Sequence, residues 1–327
     1  MKKKENASST NKLTIKPEFS GARLDKFLTE NLGTLSRSKI KAMILDEEVL
    51  VNGKVSSVHR FLKTDDIITF QEKKIAPKVV PIKTKKTKKT NWEIEIVAEE
   101  PDYLIVEKPA GILVHPTVKN IDNTLIDLLI AKYPELKKIG ESPERAAIVH
   151  RLDKDVSGLM VIPRTQASFD YFKNLFKTRG IVKKYEALVY GEVEKDSDTI
   201  DMPIGRSLTK PGLFAAHPYV QGNQLSAKDK PAITTYEVKE RFINHTLLDI
   251  QILTGRTHQI RVHLLSKNIP IVGDPLYINN KLKLNKPISR IFLHSYYLAF
   301  TDPAGNQREY KSKLPLTLRQ YLKEMKK

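Results

Sequence analysis

Ile148-Val149-His150-Arg151-Leu152-Asp153-Lys154-Asp155-Val156-Ser157-Gly158-Leu159 is the densest gathering of chemistry-bearing side chains in this 327-residue chain. Two apolar residues lead into a polar loop, and Ser157-Gly158 turns it into a second apolar run over 159–162. A polar loop held between two buried strands is how a rigid scaffold presents an active site. A surface turn of ordinary salt bridges has the same outline, and spacing alone does not separate the two.

Around this loop the pattern predicts strands over 93–97, 103–106, 159–162, 185–189, 233–238, 246–253 and 291–300, and helices over 124–132, 168–177 and 258–267. Strands outnumber helices and do not alternate regularly with them, which argues an α+β fold on a mixed or antiparallel sheet. The stretch 254–264 also suits a strand. Thr257 as a cap and Asn268 before Pro270 as a stop favour the helix.

Upstream, Leu24, Phe27, Leu28 and Leu32 recur at helical spacing, and Ser36 can cap a second helix through Ile40, Met43 and Ile44. Val49-Leu50-Val51 then meets Asn52-Gly53, a tight-turn pair, and 61–70 closes a small unit with Asp65-Asp66 as its turn. The expected organisation is a mobile basic N-terminus (1–19), a small α+β module (20–70), a linker (71–91) and a large domain (92–327). In the linker Lys83, Lys85, Lys86, Lys88 and Lys89 occupy five of seven positions and no apolar stripe exists, so it should be extended and able to track a phosphate backbone.

The net charge is +18 and 40% of residues are hydrophobic, enough for a buried core. Residues 1–90 carry 21 Lys and Arg against 10 Asp and Glu, a surplus of 11; the other 237 carry 35 against 28, a surplus of 7. Such an excess attracts polyanions, although charge runs are also often just solvated. No apolar run reaches the roughly 18 residues of a membrane span, and the N-terminus lacks the apolar region of a secretory signal. With no cysteine there is no disulfide or thiolate metal site, which suits the cytoplasm. P-loop, dinucleotide-binding and H-E-x-x-H patterns are absent. A kinase loop is rejected because Leu152 separates Arg151 from Asp153 and no D-F-G follows.

Two resemblances sharpen this reading. The segment from Arg23 to Lys54 resembles the RNA-binding module named after ribosomal protein four of the small subunit. The likeness implies RNA contacts from Arg37, Lys39 and Lys41, basic side chains near a helix start that also suit phosphate binding in their own right; a helical adaptor with solvated charges is the alternative. The loop 150–159 resembles the signature of the RluA-type pseudouridine synthases. So, in the family's order, do Val114-His115-Pro116, Lys184-Tyr185-Glu186-Ala187-Leu188-Val189, Pro203-Ile204-Gly205-Arg206, the run from Thr254 to His263, Val272-Gly273-Asp274-Pro275-Leu276-Tyr277 and Leu293-His294. Val156 stands where threonine is usual, and Arg164 where lysine is common.

The resemblance implies isomerisation of uridine to pseudouridine in RNA, with Asp153 as catalytic carboxylate, Arg256 paired with it, Tyr185 stacked on the base and Arg151 filling the gap left by the extruded nucleotide. Arg261 and His263 follow as supporting or RNA-contacting residues, though His258 and His263 read better as satisfied structural histidines. Asp153 can act as nucleophile at sugar or base, or as base toward a ribose proton, and Tyr185 can also assist removal of the carbon-5 proton. Nothing is oxidised or transferred, so no cofactor or metal is needed. The fused module points to large-subunit ribosomal RNA rather than transfer RNA; a monomer is taken as the default, and no obligate protein partner is inferred. The rivals are an inactive RNA-binding assembly protein on the same fold, and a two-carboxylate glycosidase or nucleosidase using Asp153 and Asp155.

Overall fold

The structure, a computed structural model, describes residues 10–32, 37–71, 92–117, 123–142, 145–219, 229–278 and 288–325. The chain divides into two compact units, Met1–Thr87 and Lys88–Lys327.

In the first unit the elements are β1 (Thr10–Thr14), α1 (Leu24–Leu32), α2 (Arg37–Leu45), β2 (Val49–Val51), β3 (Lys54–Val55) and β4 (Ile67–Gln71). The strands form an antiparallel sheet in the order β1-β4-β2-β3. Leu24, Phe27 and Leu28 fall on one helical face and meet Ile40, Met43 and Ile44 of α2 and Val49, Val51 and Ile68 of the sheet. The expected turn is present: Asn52 and Gly53 both have positive φ, 53° and 73°, as a two-residue hairpin with right-handed twist requires. Asn52 Oδ1 also accepts from the Ile67 amide, tying the hairpin to β4. The expectation of a mobile 1–19 is corrected over its second half. β1 pairs with β4, and Ile15 is fully buried. Leu13 and Ile15 alternate too briefly among lysines and polar residues to show in composition. Ser36 and the linker lysines lie outside the described residues.

The second unit holds β5 (Glu95–Glu99), β6 (Tyr103–Lys108), α3 (Leu125–Lys132), β7 (Ser157–Pro163), α4 (Gln166–Thr178), β8 (Val182–Tyr190), β9 (Ser197–Asp201), β10 (Ile204–Arg206), β11 (Phe214–Ala216), β12 (Ile233–Phe242), β13 (His245–Ile252), α5 (Gln259–Ser266), β14 (Leu293–Thr301), β15 (Gln307–Lys311) and α6 (Leu316–Met325). The main sheet runs β5-β6-β7-β14-β8-β13-β12-β9, with β15 also on β14. β7 and β14 are parallel and the other neighbours antiparallel, so the sheet is mixed. All seven expected strands and three expected helices are present. Unanticipated are β9, β10, β11, β15 and α6. In β9 and β15 most side chains face solvent, so polar residues dominate and the apolar alternation that marks a half-buried strand is faint. α3 and α4 begin with reciprocal capping boxes, Thr124 with Asp127 and Thr165 with Ser168.

The parallel pair decides where the loop 150–156 sits. Gly158 of β7 is in register with Ser295 of β14, Ser295 with Tyr185 of β8, and Tyr185 with Ile250 of β13. Gly158 has φ 129°, and a Cβ there would stand 2.2 Å from the Ser295 carbonyl oxygen. Only glycine lets β7 approach β14 this closely. Gly158→Ala should therefore cost about 3 kcal/mol or more through strain and overpacking. In a unit of this size that is a fall of roughly 6–12 °C in melting temperature. A melting curve that overlays wild type would refute the requirement.

Candidate active site

The loop before β7, the end of α4, the start of β8 and the turn from β13 into α5 converge on one cavity of about 430 Å³, a volume typical of small-ligand sites. Asp153, Tyr185, Arg151, Arg256, His258 and Arg261 all line it. The sequence-predicted catalytic residues are thus brought together, but the predicted ion pair is not the one that forms.

Arg261, not Arg256, carries the guanidinium on Asp153. Arg261 Nη1 donates to Asp153 Oδ2 at 3.0 Å, while Nε and Nη2 donate to Asp274 Oδ2 and Oδ1, each at 2.7 Å. Arg256 is exposed and gives its Nε to the Pro231 carbonyl. The reason lies in the turn. Arg256 precedes α5, and the helix starts only after His258, which takes a left-handed conformation with φ 58°. Gln259 fixes this turn: its Oε1 accepts from Thr254 Oγ1 and the Arg256 amide, and its Nε2 donates to the Ile233 carbonyl and Thr234 Oγ1. The predicted Thr257 cap is therefore also corrected, since the capping position is His258 and no side chain caps it. Arg261 falls in the first buried turn and points inward.

Asp274 is what makes a buried guanidinium tolerable here. Its side chain has no exposure, it grips Arg261 with both oxygens, and Oδ1 also accepts from the amides of Leu276 and Tyr277. The Tyr277 ring lies against the guanidinium, 4.9 Å from centroid to Cζ. Burial opposes the charge on Arg261, yet the hydrogen bonds and charges of Asp274 and Asp153 outweigh it and hold the group above its ordinary value. Arg261 is thus a permanently charged fork with one N–H spared for Asp153. Asp153 keeps a 17% exposed side chain, and its Oδ1 has no hydrogen bond among the described residues, so that oxygen is available to the cavity.

Tyr185 is buried, 5% exposed, and burial, with Asp153's charge adding to it, pushes its hydroxyl well above its ordinary value. It keeps its proton at neutral pH, which suits a stacking face better than a proton acceptor.

His258 has the satisfied nitrogen expected of a structural histidine, and it also lines the cavity. Its Nδ1 lies 2.8 Å from the Tyr277 hydroxyl and its Nε2 3.9 Å from Asp153 Oδ2. The Tyr277 oxygen accepts the Phe214 amide and so gives its own proton to His258 Nδ1. That leaves the imidazole hydrogen on Nε2, toward Asp153. Burial lowers its pKa against the pull of Asp153. His263 does satisfy both nitrogens structurally, on Thr234 Oγ1 and the Met202 carbonyl.

Beneath the loop, the fully buried Lys108 donates to the carbonyls of Pro109, Ile112 and Lys154 at 2.8–2.9 Å, pinning the residue after Asp153. Burial, aided by Arg290, pushes this lysine down to about 7. Arg151 is exposed at the cavity mouth. Lys41 is exposed in the first unit, and the side chains of Arg37 and Lys39 lie outside the described residues. Among the described residues no group of three or more His, Asp or Glu is placed to hold a metal ion, and no helix is long and apolar enough to cross a membrane.

Comparison with known proteins gives a concordant picture. The model of the family described as RNA pseudouridylate synthase matches residues 102–266, and that of the S4 domain matches 22–68. The ribosomal large subunit pseudouridine synthase D of Yersinia pestis is 35% identical over 318 residues, covering 92% of this chain and 90% of that protein. Its namesake in Escherichia coli K12 is 37% identical over 269 residues, covering 81% and 75%. Among solved structures, human RNA pseudouridylate synthase domain containing 4 superposes with a TM-score of 0.59 at 25% identity, covering 71% of this chain and 92% of that one.

Proposed function

This chain belongs to the RNA pseudouridylate synthase family and isomerises uridine to pseudouridine in RNA; we propose that its substrate is large-subunit ribosomal RNA and that Asp153 acts on a uridine flipped out of it. The observation that carries the catalytic reading is one cavity holding the Asp153 carboxylate, the Arg261 fork and the Tyr185 ring. The substrate reading is supported by the names of the relatives, the S4-type unit and the net charge of +18. From that substrate we infer a cytoplasmic location.

The reaction breaks the bond from ribose C1′ to N1, turns the uracil and joins C1′ to C5; C5 loses a proton and N1 gains one. Asp153 Oδ1 is the free oxygen for nucleophilic attack or for removal of a ribose proton, while Oδ2 is held by Arg261. Flipping the base costs a few kcal/mol, and stacking on Tyr185 returns about 1–3 kcal/mol. Arg151 at the mouth fills the place the base leaves. The basic surface of the first unit, with Lys41 and, by sequence position, Arg37 and Lys39, holds RNA without reading bases.

The test uses RNA labelled with tritium at carbon 5 of uridine. Wild-type protein should release tritium from large-subunit ribosomal RNA and not from a transfer RNA pool. Release from transfer RNA alone would overturn the substrate, and intact label in both would favour an inactive binding protein. Free uracil would favour a nucleosidase.

A further inference from the structure

We propose that Lys183, with Lys177 and Arg179 beside it, binds a backbone phosphate of the RNA next to the flipped uridine. The proposal rests on the reading that a uridine enters the cavity against Tyr185.

Lys183 lies two residues before Tyr185 on β8, so both side chains leave the same face of the strand, and both line the cavity. Their Cα atoms are about 7 Å apart along the strand, the scale of the separation between a base and the phosphate of its own nucleotide. A base stacked on Tyr185 therefore brings a phosphate within reach of Lys183.

What singles Lys183 out is that its charge is unanswered. Its relative exposure is 9%, yet among the described residues no carboxylate or hydrogen-bond acceptor meets its ammonium group. Its neighbour is the face of Phe176, with Nζ 4.9 Å from the ring centroid. His150 stacks on the same ring but cannot accept a hydrogen bond from it. The lone pair of His150 Nε2 is already taken by the Val161 amide, and burial, helped by the charge of Lys183, holds this imidazole neutral with its pKa down to about 3. The other two buried cations near the site among the described residues are fully answered: Lys108 by three carbonyls and Arg261 by two carboxylates. Burying an ammonium unpaired is costly, and burial pushes Lys183 down to about 8. A site that keeps such a group against that cost is waiting for an anion.

The surroundings agree on the anion's nature. Lys177 and Arg179, at the end of α4, line the same cavity and have no carboxylate partner among the described residues. Among the described residues Asp153 is the one acidic side chain in the lining, and Arg261 already opposes it. A diester phosphate carries a full negative charge and accepts from several donors at once, and RNA delivers one beside each base.

The experiment measures binding of a pentaribonucleotide with a central uridine to the full chain across a salt series. Lys183→Met should weaken binding about tenfold, as loss of a charge-assisted hydrogen bond does. It should also reduce the salt slope by about 0.7, with a melting temperature no lower than wild type because a buried charge is gone. Independently of any variant, replacing one phosphate flanking the uridine by a neutral methylphosphonate should cost wild type about the same tenfold, and cost Lys183→Met nothing further. Equal binding by variant and wild type at every salt, or a methylphosphonate penalty of the same size in both proteins, overturns the proposal. Failure to release tritium from ribosomal RNA while the phosphate pattern persists would instead sink the substrate assignment and leave the subsite standing.

Discussion

Arg261→Met is expected to lose both stability and activity, whereas Arg256→Ala loses neither to a comparable degree. Removing the Arg261 fork strands Asp274, whose side chain has no exposure, as a buried carboxylate with only two backbone amides to answer it. Breaking a buried ion pair from one side costs about 3–5 kcal/mol, and the contact with the Tyr277 ring is lost too. Asp153 loses the donor that sets the direction of its carboxylate, and a misplacement of about 1 Å in an active site lowers rate on the order of 10²-fold. Arg261→Lys does not repair this: a single ammonium cannot reproduce two parallel bonds to Asp274 and a third to Asp153. Arg256 is exposed and, among the described residues, its side chain holds only the Pro231 carbonyl, so its truncation should change stability by less than about 0.5 kcal/mol. Urea titrations and tritium-release rates on the four proteins decide the matter. A variant at 256 that kills the reaction, beside a variant at 261 that spares it, would reverse the assignment.

That pair of arginines also marks where sequence stopped being sufficient. The loop from His150 to Gly158 was legible because apolar runs bracket it, and the Asn52-Gly53 hairpin because its residue types tolerate positive φ. Arg256 and Arg261 straddle the start of α5, and which one turns inward depends on the left-handed turn at His258 and the four bonds of Gln259. Two of those partners, Ile233 and Thr234, come from β12, and local spacing does not report them. One signal was available. Every residue from Gln259 to Leu264 is buried, and Ile260, Val262 and Leu264 flank the arginine with apolar side chains. A helix without a solvent face is buried on all sides, so an arginine within it needs a carboxylate. Asp274 lay in the quoted run 272–277, but nothing in the spacing joins it to position 261. That His258 also faces the cavity was not legible for the same reason: its neighbours Tyr277 and Asp153 lie in other segments of the chain.

Asp153→Asn should leave a folded, RNA-binding protein that turns over on the order of 10⁴ times more slowly or not at all, the scale of losses seen when a catalytic side chain is removed. The substitution keeps shape and removes charge, and each consequence follows from the site. Arg261 keeps both bonds to Asp274, so no unpaired cation is buried, and the stability cost should stay near the roughly 1.5–3 kcal/mol of one charge-assisted hydrogen bond. The backbone that shapes the loop is untouched: Lys108 still holds the Lys154 carbonyl, and the Val156 amide still donates to the carbonyl of residue 153. RNA affinity should therefore change little, because the cations around the cavity are unaltered. Chemistry is another matter. An amide oxygen is a poor nucleophile and a poor base, and its other end is an N–H₂ group that cannot accept from a sugar proton. To keep its bond with Arg261 the amide must present oxygen to that fork, which turns its nitrogen toward the substrate. Single-turnover tritium release at saturating RNA, beside a binding curve on the same preparation, separates the two effects. Wild-type rates from the asparagine variant would mean that the carboxylate does no chemistry and that the cavity only binds. A rate loss matched by an equal loss of RNA affinity would move Asp153 from the reaction to the holding of the RNA.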